Sequence, residues 1–550
     1  MHDTTVLVRD VGVRRRVAGA VLCAVLAACS DTGQPAFDVT RASVADVRSA
    51  LADGRTTCRE IARQVVARID ATDDAGPALN AVLEIDPDLA REAAGLDRAY
   101  ATGGPVGPLH CVPVAVKDNY DTGDRMRTTA GSLILGDSRT PADASSIARL
   151  RAAGALLVAK VNMDEFAFGV SGYGSRGGQT LDAYRRNRIP GGSSGGSAVA
   201  VAAGMAVLAT GTDTAGSIRI PATFNSLVGI KPTLGLVGRS GIVPASRFLD
   251  VPGPLARDVS DAAIMLGAMA GPDPGDPDTL HGIGRARDDY TSFLDPGGLA
   301  GAHLAVLRAT FGEPLSGQND DVDAAFATAL DAMAARGATL VDPVVVADVL
   351  TGGEVLEILV TLANDQFAGE IGEYLTTYAP DAPVRSASEI ALAARALGPD
   401  VVRNIVNLTA ACDATEPDDE AMAHALALRA RLADAVLAAL DQSGVDALVF
   451  PTVLCPATPL PGVVDPTYAC ASAPPMPFGF GEAYGGEPIL MASIAGLPEI
   501  TVPMGYTVDG APIGLSFLGR AFDEGTLIRL AYAYEQATGL RRDPDLVTLP

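Results

Sequence analysis

From Val44 to Val161, stretches of helical spacing take turns with short apolar runs, and this alternation constrains the fold more than any other feature of the chain. Apolar residues recur at helical intervals from Val44 to Ile69, with a break around Gly54 and Thr56-Thr57. The pattern predicts two amphipathic helices, the second with a capped start. Asn80-Ala-Val-Leu83 reads as a strand and Pro87 to Tyr100 as a helix. Between Cys111 and Lys117, the side chains of Val112, Val114 and Val116 share one strand face, which puts Lys117 at the strand's end facing the other way. Ser145 to Ala153 is helical in pattern, and Ala155 to Val161 reads as a buried strand. Residues 315–440 are Ala/Leu-rich and helical, for example Val322 to Ala335 and Asp418 to Leu440, and strand signals return at Ala447 to Phe450 and Glu499 to Pro503. No repeat and no linker divides residues 40–540, so one large α/β domain is expected, with a sheet sandwiched between helices. A core of Ala, Val, Leu and Gly suits that class, since the chain has no Trp and only 5% aromatics.

The N-terminus reads as an address. Arg14, Arg15 and Arg16 precede a 12-residue apolar run, Val17 to Ala28, too short to span a bilayer and of signal-peptide length. Leu26-Ala27-Ala28-Cys29 resembles a bacterial lipobox. Residues 1–28 are therefore expected to be a lipoprotein-type signal peptide, Cys29 the lipidated residue, 29–40 a polar tether and 41–545 the folded domain. The protein is then exported and held by its lipid anchor alone to the outer face of a bacterial membrane. A net charge of −25 argues against nucleic acid as a partner, because phosphate binding needs basic patches. Beyond the signal and Cys29 remain Cys58, Cys111, Cys412, Cys455 and Cys470, with no C-x-x-C spacing and five scattered His, so no metal site is expected. Outside the cytosol Cys455 and Cys470 are candidates for a disulfide, though an odd count leaves the pairing open. Cys111 reads as a core residue.

Only three lysines occur, Lys117, Lys160 and Lys231, all within 115 positions of a chain that otherwise uses Arg for its positive charges. Arg stays charged at any working pH, whereas a buried Lys can be made neutral and take up a proton. For Lys160 and Lys231, packing is as good an account; Lys117 is the candidate base. Two Ser-rich turns lie in the same span, Gly191-Gly-Ser-Ser-Gly-Gly-Ser197 and Gly211-Thr-Asp-Thr-Ala-Gly-Ser217. Runs of backbone N–H groups at such turns make a site for an oxyanion. A Gly/Ser stretch alone would equally suit a flexible linker, but small apolar residues from Ala198 to Met205 follow the first turn closely.

Lys117 in Pro-Val-Ala-Val-Lys-Asp-Asn119, Thr129-Ala-Gly-Ser132, Gly191 to Gly196 and Gly211 to Arg219 together resemble the amidase signature family. The likeness continues through Gly229-Ile-Lys-Pro-Thr233, Ala495 to Pro503 and Gly514 to Gly519. It spans roughly residues 40–540, with the family's spacing of 24 between its two serines. The resemblance implies a mixed β-sheet covered on both faces by helices, and hydrolysis of carboxamides to a carboxylate and ammonia or an amine. It implies Ser217 as nucleophile, Ser193 on a cis peptide bond as the bridging serine, and Lys117 as base. It also implies an oxyanion held by backbone N–H groups around Thr214, Ala215, Gly216 and Ser217. Asp213 and Arg219 are expected to brace the nucleophile loop, and no cofactor is called for. Ala215 and Cys111 stand where many members have Gly.

Other readings are weaker. Gly191-Gly-Ser193-Ser-Gly195 fits the nucleophile elbow of α/β-hydrolases, but Tyr184 to Pro190 makes a poor central strand, and none of His281, His303 and His424 sits in a Gly-rich loop. Gly172-Tyr-Gly174-Ser-Arg-Gly177 lacks the helix a dinucleotide site requires. A binding lipoprotein with faded catalysis is the reading from another class, and the intact Lys117, Ser193 and Ser217 speak against it. Some members of the family serve a tRNA-dependent amidotransferase beside a second protein; the signal sequence and the acidity argue against that role. The expected partner is a small-molecule or peptide amide, with its selection placed in 310–490, including Phe478 to Tyr484. Oligomeric state leaves no mark on the sequence.

Overall fold

A computed structural model describes residues 37–346, 349–471 and 488–547. The signal segment, Cys29, most of the tether and Phe478 to Tyr484 lie outside the described residues. From Asp38 onward the described chain forms one unit. Its backbone is an 11-stranded sheet. The strands are β1 (Val82–Ile85), β2 (Pro113–Lys117), β3 (Leu156–Val161), β4 (Leu208–Asp213), β5 (Val228–Lys231) and β6 (Val251–Ala256). They are completed by β7 (His303–Leu307), β8 (Thr339–Val344), β9 (Ala447–Pro451), β10 (Glu499–Tyr506) and β11 (Pro512–Leu518). In space they run β1-β3-β2-β4-β6-β5-β10-β11-β9-β7-β8. The sheet is mixed: β3, β2 and β4 are mutually parallel, as are β9, β7 and β8, and antiparallel pairs join the two groups.

Strands β2, β3, β4, β6, β9 and β11 are buried at every residue, which requires cover on both faces. Helices provide it, as the alternation predicts. The two N-terminal helices, Val44–Ala52 and Cys58–Thr72, start where capping chemistry is strongest. Ser43 and Asp46 form a reciprocal capping box, and the Thr57 hydroxyl accepts from the Glu60 amide.

Three expectations need correction. The strand read from Asn80 begins at Val82, because Asn80 takes a left-handed φ of 55° and its side chain donates to the carbonyls of Gly177 and Gln179. The helical stretch 315–440 is interrupted by β8, an edge strand only partly buried and therefore without a clean two-residue alternation. Cys111 is not a solitary core thiol. It is joined to Cys58, and Cys455 to Cys470, leaving Cys412 as the free, buried cysteine among the described residues. The Cys58–Cys111 bond spans 53 positions and ties the start of a surface helix to the approach of β2, a proximity that spacing does not reveal.

Candidate active site

The site forms at the carboxyl ends of the parallel strands β2 and β4, where an open α/β sheet offers its crevice. Lys117 closes β2 and is fully buried. Its Nζ lies 2.8 Å from Ser193 Oγ, 2.8 Å from Thr212 Oγ1 and 3.4 Å from the Thr212 carbonyl. When charged, the amine donates to all three. When neutral, its two N–H groups suffice for Thr212, and the lone pair is left for the Ser193 hydroxyl. Burial lowers the Lys117 pKa to about 7, against the opposing pull of Asp164, Asp250 and Asp213. Thr212 lies within the Ser217 motif, yet nothing in the sequence marks it as a partner of Lys117; Asn119 donates to the same hydroxyl at 3.1 Å.

Ser193 follows a cis Gly192–Ser193 peptide bond, as the resemblance implies. No strand precedes it: Tyr184 to Pro190 is irregular, and helix Gly195–Ala202 follows. Gly192 has no room for a side chain, since a Cβ there would stand 2.0 Å from Asp164 Oδ2. Asp164 holds this corner by accepting from the amides of Ser171 and Gly172. The Ser194 amide donates to the Ser217 carbonyl at 3.3 Å, setting the two serine turns side by side.

Ser217 sits in the loop from β4 to helix Arg219–Phe224 and is 6% exposed, whereas Ser193 is closed off entirely. Asp213 and Arg219 do brace that loop. The guanidinium donates through Nε and Nη2 to both Asp213 oxygens at 3.0 and 2.9 Å, and through Nη1 to Glu499 at 2.6 Å, all fully buried. Burial alone would raise the Asp213 pKa; Arg219 holds it down to about 2. The remaining lone pairs of Asp213 accept from the Gly216 amide at 2.8 Å and the Ile218 amide at 3.0 Å. Of the amides expected around the oxyanion, that of Gly216 donates to Asp213 in this arrangement. The Thr214 hydroxyl is fixed separately, to Asp250 at 2.5 Å.

Ser217 and Ala215 line a cavity of about 50 Å³. One wall is the segment Ala167 to Val170. The other comes from helix Gly352–Leu359 (Leu356, Leu359), the π-turn Val360–Asn364 (Val360, Asn364) and Asn407 of helix Ile405–Asp413. The second wall is tied down by Asn404, whose Nδ2 donates to the carbonyls of Glu165 and Phe168. The other two lysines are apart from this centre. Lys160 donates to the Tyr120 carbonyl and the Thr128 hydroxyl, and Lys231 to the carbonyls of Leu497 and Pro232. His281 and His303 are exposed, and His424 meets Glu357 at the surface, so none of these three joins Ser193.

Comparison with known proteins agrees with this geometry. The Amidase family profile matches residues 60–528. The chain belongs to the amidase family. It is 35% identical over 522 residues to a component of the glutamyl-tRNA(Gln) amidotransferase of Cupriavidus metallidurans, covering 90% of this chain and 97% of that protein. In structure it is similar to the native peptide amidase of Stenotrophomonas maltophilia, with a TM-score of 0.81 and 37% identity over 92% of this chain and 99% of that one. An amidase family protein of Bacillus anthracis gives a TM-score of 0.80 at 31% identity, covering 92% and 93%. This amidase is an amide-hydrolysing enzyme with the large mixed sheet of its relatives.

Proposed function

We propose that the protein is an exported amidase that cleaves carboxamides through an acyl-enzyme on Ser217. The observation that carries this reading is the buried Lys117 amine, 2.8 Å from Ser193 Oγ beside a cavity lined by Ser217. Neutral Lys117 accepts the Ser193 proton while Ser193 accepts that of Ser217. Ser217 Oγ then bonds to the amide carbon. As the C–N bond breaks, the proton returns through Ser193 to the departing nitrogen, and ammonia or an amine leaves. Water, deprotonated by the same relay, adds to the ester and releases the carboxylate. Backbone amides of the loop from Thr214 to Ser217 carry the oxyanion charge; one such donor contributes about 3 kcal/mol to the transition state.

Peptide amides are the substrate class we favour, on the likeness to the Stenotrophomonas peptide amidase. Export by the signal sequence, lipidation of Cys29 and anchoring at the outer membrane face complete the proposal. The two disulfides support it, since such bonds persist in oxidising compartments. Fluorophosphonate labelling mapped by mass spectrometry tests the mechanism. Modification of Ser217 that falls sharply in Lys117→Ala is the expected result. Modification of Ser193 that is indifferent to Lys117 would instead favour the nucleophile-elbow chemistry, and no labelling at all the binding lipoprotein. Fractionation of cells expressing wild type and Cys29→Ser tests the anchor: release of the variant from the membrane pellet is expected.

A further inference from the structure

The segment that leads into Ser193 is gripped by a loop that the reaction just described leaves unused. Strand β9 ends at Pro451, and the chain then makes a loop closed by the Cys455–Cys470 disulfide, with residues 461–464 exposed. Within that closure lies a short antiparallel bridge between Arg188 and Pro459. The Ile189 amide donates to the Thr458 carbonyl at 2.9 Å, and the Leu460 amide to the Asn187 carbonyl at 2.9 Å. Arg188 itself is fully buried. Its Nε donates to Asp465 Oδ2 at 2.8 Å, and its Nη2 to Thr467 Oγ1 at 3.1 Å and to Asp509. Asn187 Nδ2 also donates to Asp465, at 3.1 Å. Burial alone would raise the Asp465 pKa, but the Thr467 hydroxyl and the Arg188 guanidinium hold it below the usual carboxylate range, so the pair stays charged.

Between Ile189 and Ser193 the chain has little room to absorb a shift. Asn225 Nδ2 donates to the Pro190 carbonyl at 2.9 Å. A Cβ on Gly191 would stand 2.9 Å from Pro221 Cα, and Gly192 is packed as closely against Asp164. Close packing passes a displacement along instead of taking it up, so a movement of Arg188 reaches the Ser193 hydroxyl. We propose that Arg188 is a positioning residue for Ser193, and that the disulfide-closed loop from Cys455 to Cys470 sets, through it, the alignment of the Lys117–Ser193–Ser217 relay. This rests on the amidase reading above and adds a residue that acts through Ser193. The consequence is specific to the chemistry. An amide nitrogen leaves only once it has received the proton that Ser193 returns, whereas a nitrophenolate leaves as the anion and needs none. Misplacing Ser193 therefore costs amides more than activated esters.

The test compares kcat/KM for N-acetyl-leucinamide and for the p-nitrophenyl ester of N-acetyl-leucine, in wild type and Arg188→Gln. Both substrates deliver the same acyl group to Ser217, so only the leaving group differs. In Arg188→Gln the amide value is expected to fall about tenfold or more and the ester value by less than about threefold. If that variant does not fold, Cys455→Ser/Cys470→Ser, which opens the loop without touching Arg188, takes its place with the same split expected. Equal losses on amide and ester, or a larger loss on the ester, would assign Arg188 a structural role alone and overturn the inference. Unchanged values for both overturn it too, and in each of these cases the amidase reading stands. Wild type that turns over neither substrate, or the ester alone, defeats the amidase reading and this inference with it.

Discussion

The two sides of the site are held in different ways. On the sheet side, Lys117 and Asp213 close β2 and β4, Ser193 and Arg219 stand beside them, and all four are fixed by directional bonds between fully buried partners. On the helical side, Leu356, Leu359 and Val360 face Ser217 from a layer whose positions come chiefly from apolar packing, with Asn404 as a polar tie. Directional bonds fix atoms to within tenths of an ångström, which proton transfer demands, while apolar packing tolerates substitution with modest loss. In the proposed mechanism, chemistry is therefore lodged in the sheet and selection in the helices.

The most severe way to break that division is at the relay. Ser217→Ala and Lys117→Ala should each lower kcat on a responsive amide by about 10⁴-fold or more, with the folded structure retained by circular dichroism. Survival of substantial turnover in either would mean that the strand-end geometry is not the catalytic one. Next comes the brace. Arg219→Met strands Asp213 and Glu499 as buried, unpaired carboxylates and should cost about 3–5 kcal/mol of stability, read as a fall in Tm together with lost activity. A variant with unchanged Tm would show that the loop does not depend on this ion pair.

The disulfides extend the comparison to the periphery. Cys58–Cys111 closes 53 positions and Cys455–Cys470 only 15, so the chain-entropy view assigns about 4 kcal/mol to the first and about 3 kcal/mol to the second. Cys58→Ser should lower the urea midpoint more than Cys455→Ser, and the reverse order would point to native-state strain as the larger factor. The mildest probe is pH. In the proposed relay Lys117 works as the neutral amine, and burial brings its pKa to about 7, well below the usual lysine range. The kcat/KM should therefore fall about tenfold per unit as pH drops below 7 and level off above it. A profile flat from pH 5 to 9 would remove Lys117 from the role of base.

The sheet wall is legible in the sequence and the helical wall is not. Alternating valines put Lys117 at a strand end, and two serine turns in a fixed order supply the rest of the relay. Thr212 and Asp164 escape a reading of the sequence, although Thr212 lies inside the Ser217 motif, because hydrogen-bond partners across strands depend on register rather than on composition. Gly216 reads as an oxyanion donor for the same reason: only the fold reveals that Asp213 turns back to accept from it. Over 315–440, periodicity predicts helices that each bury one apolar face, without saying which of them meets Ser217. Edge strand β8 is hidden in that stretch too, since its half-buried positions lack a two-residue rhythm.

The three lysines have a practical consequence away from catalysis. All of them lie in the interior, at 1% exposure or less, and the chain contains no others. The folded protein thus shows solvent no side-chain primary amine. Amine-directed reagents such as activated esters and aldehydes will find the lysines only in molecules that have opened. Modification of Lys117, Lys160 and Lys231 is accordingly a built-in gauge of unfolding, and coupling through lysine will not immobilise the native enzyme.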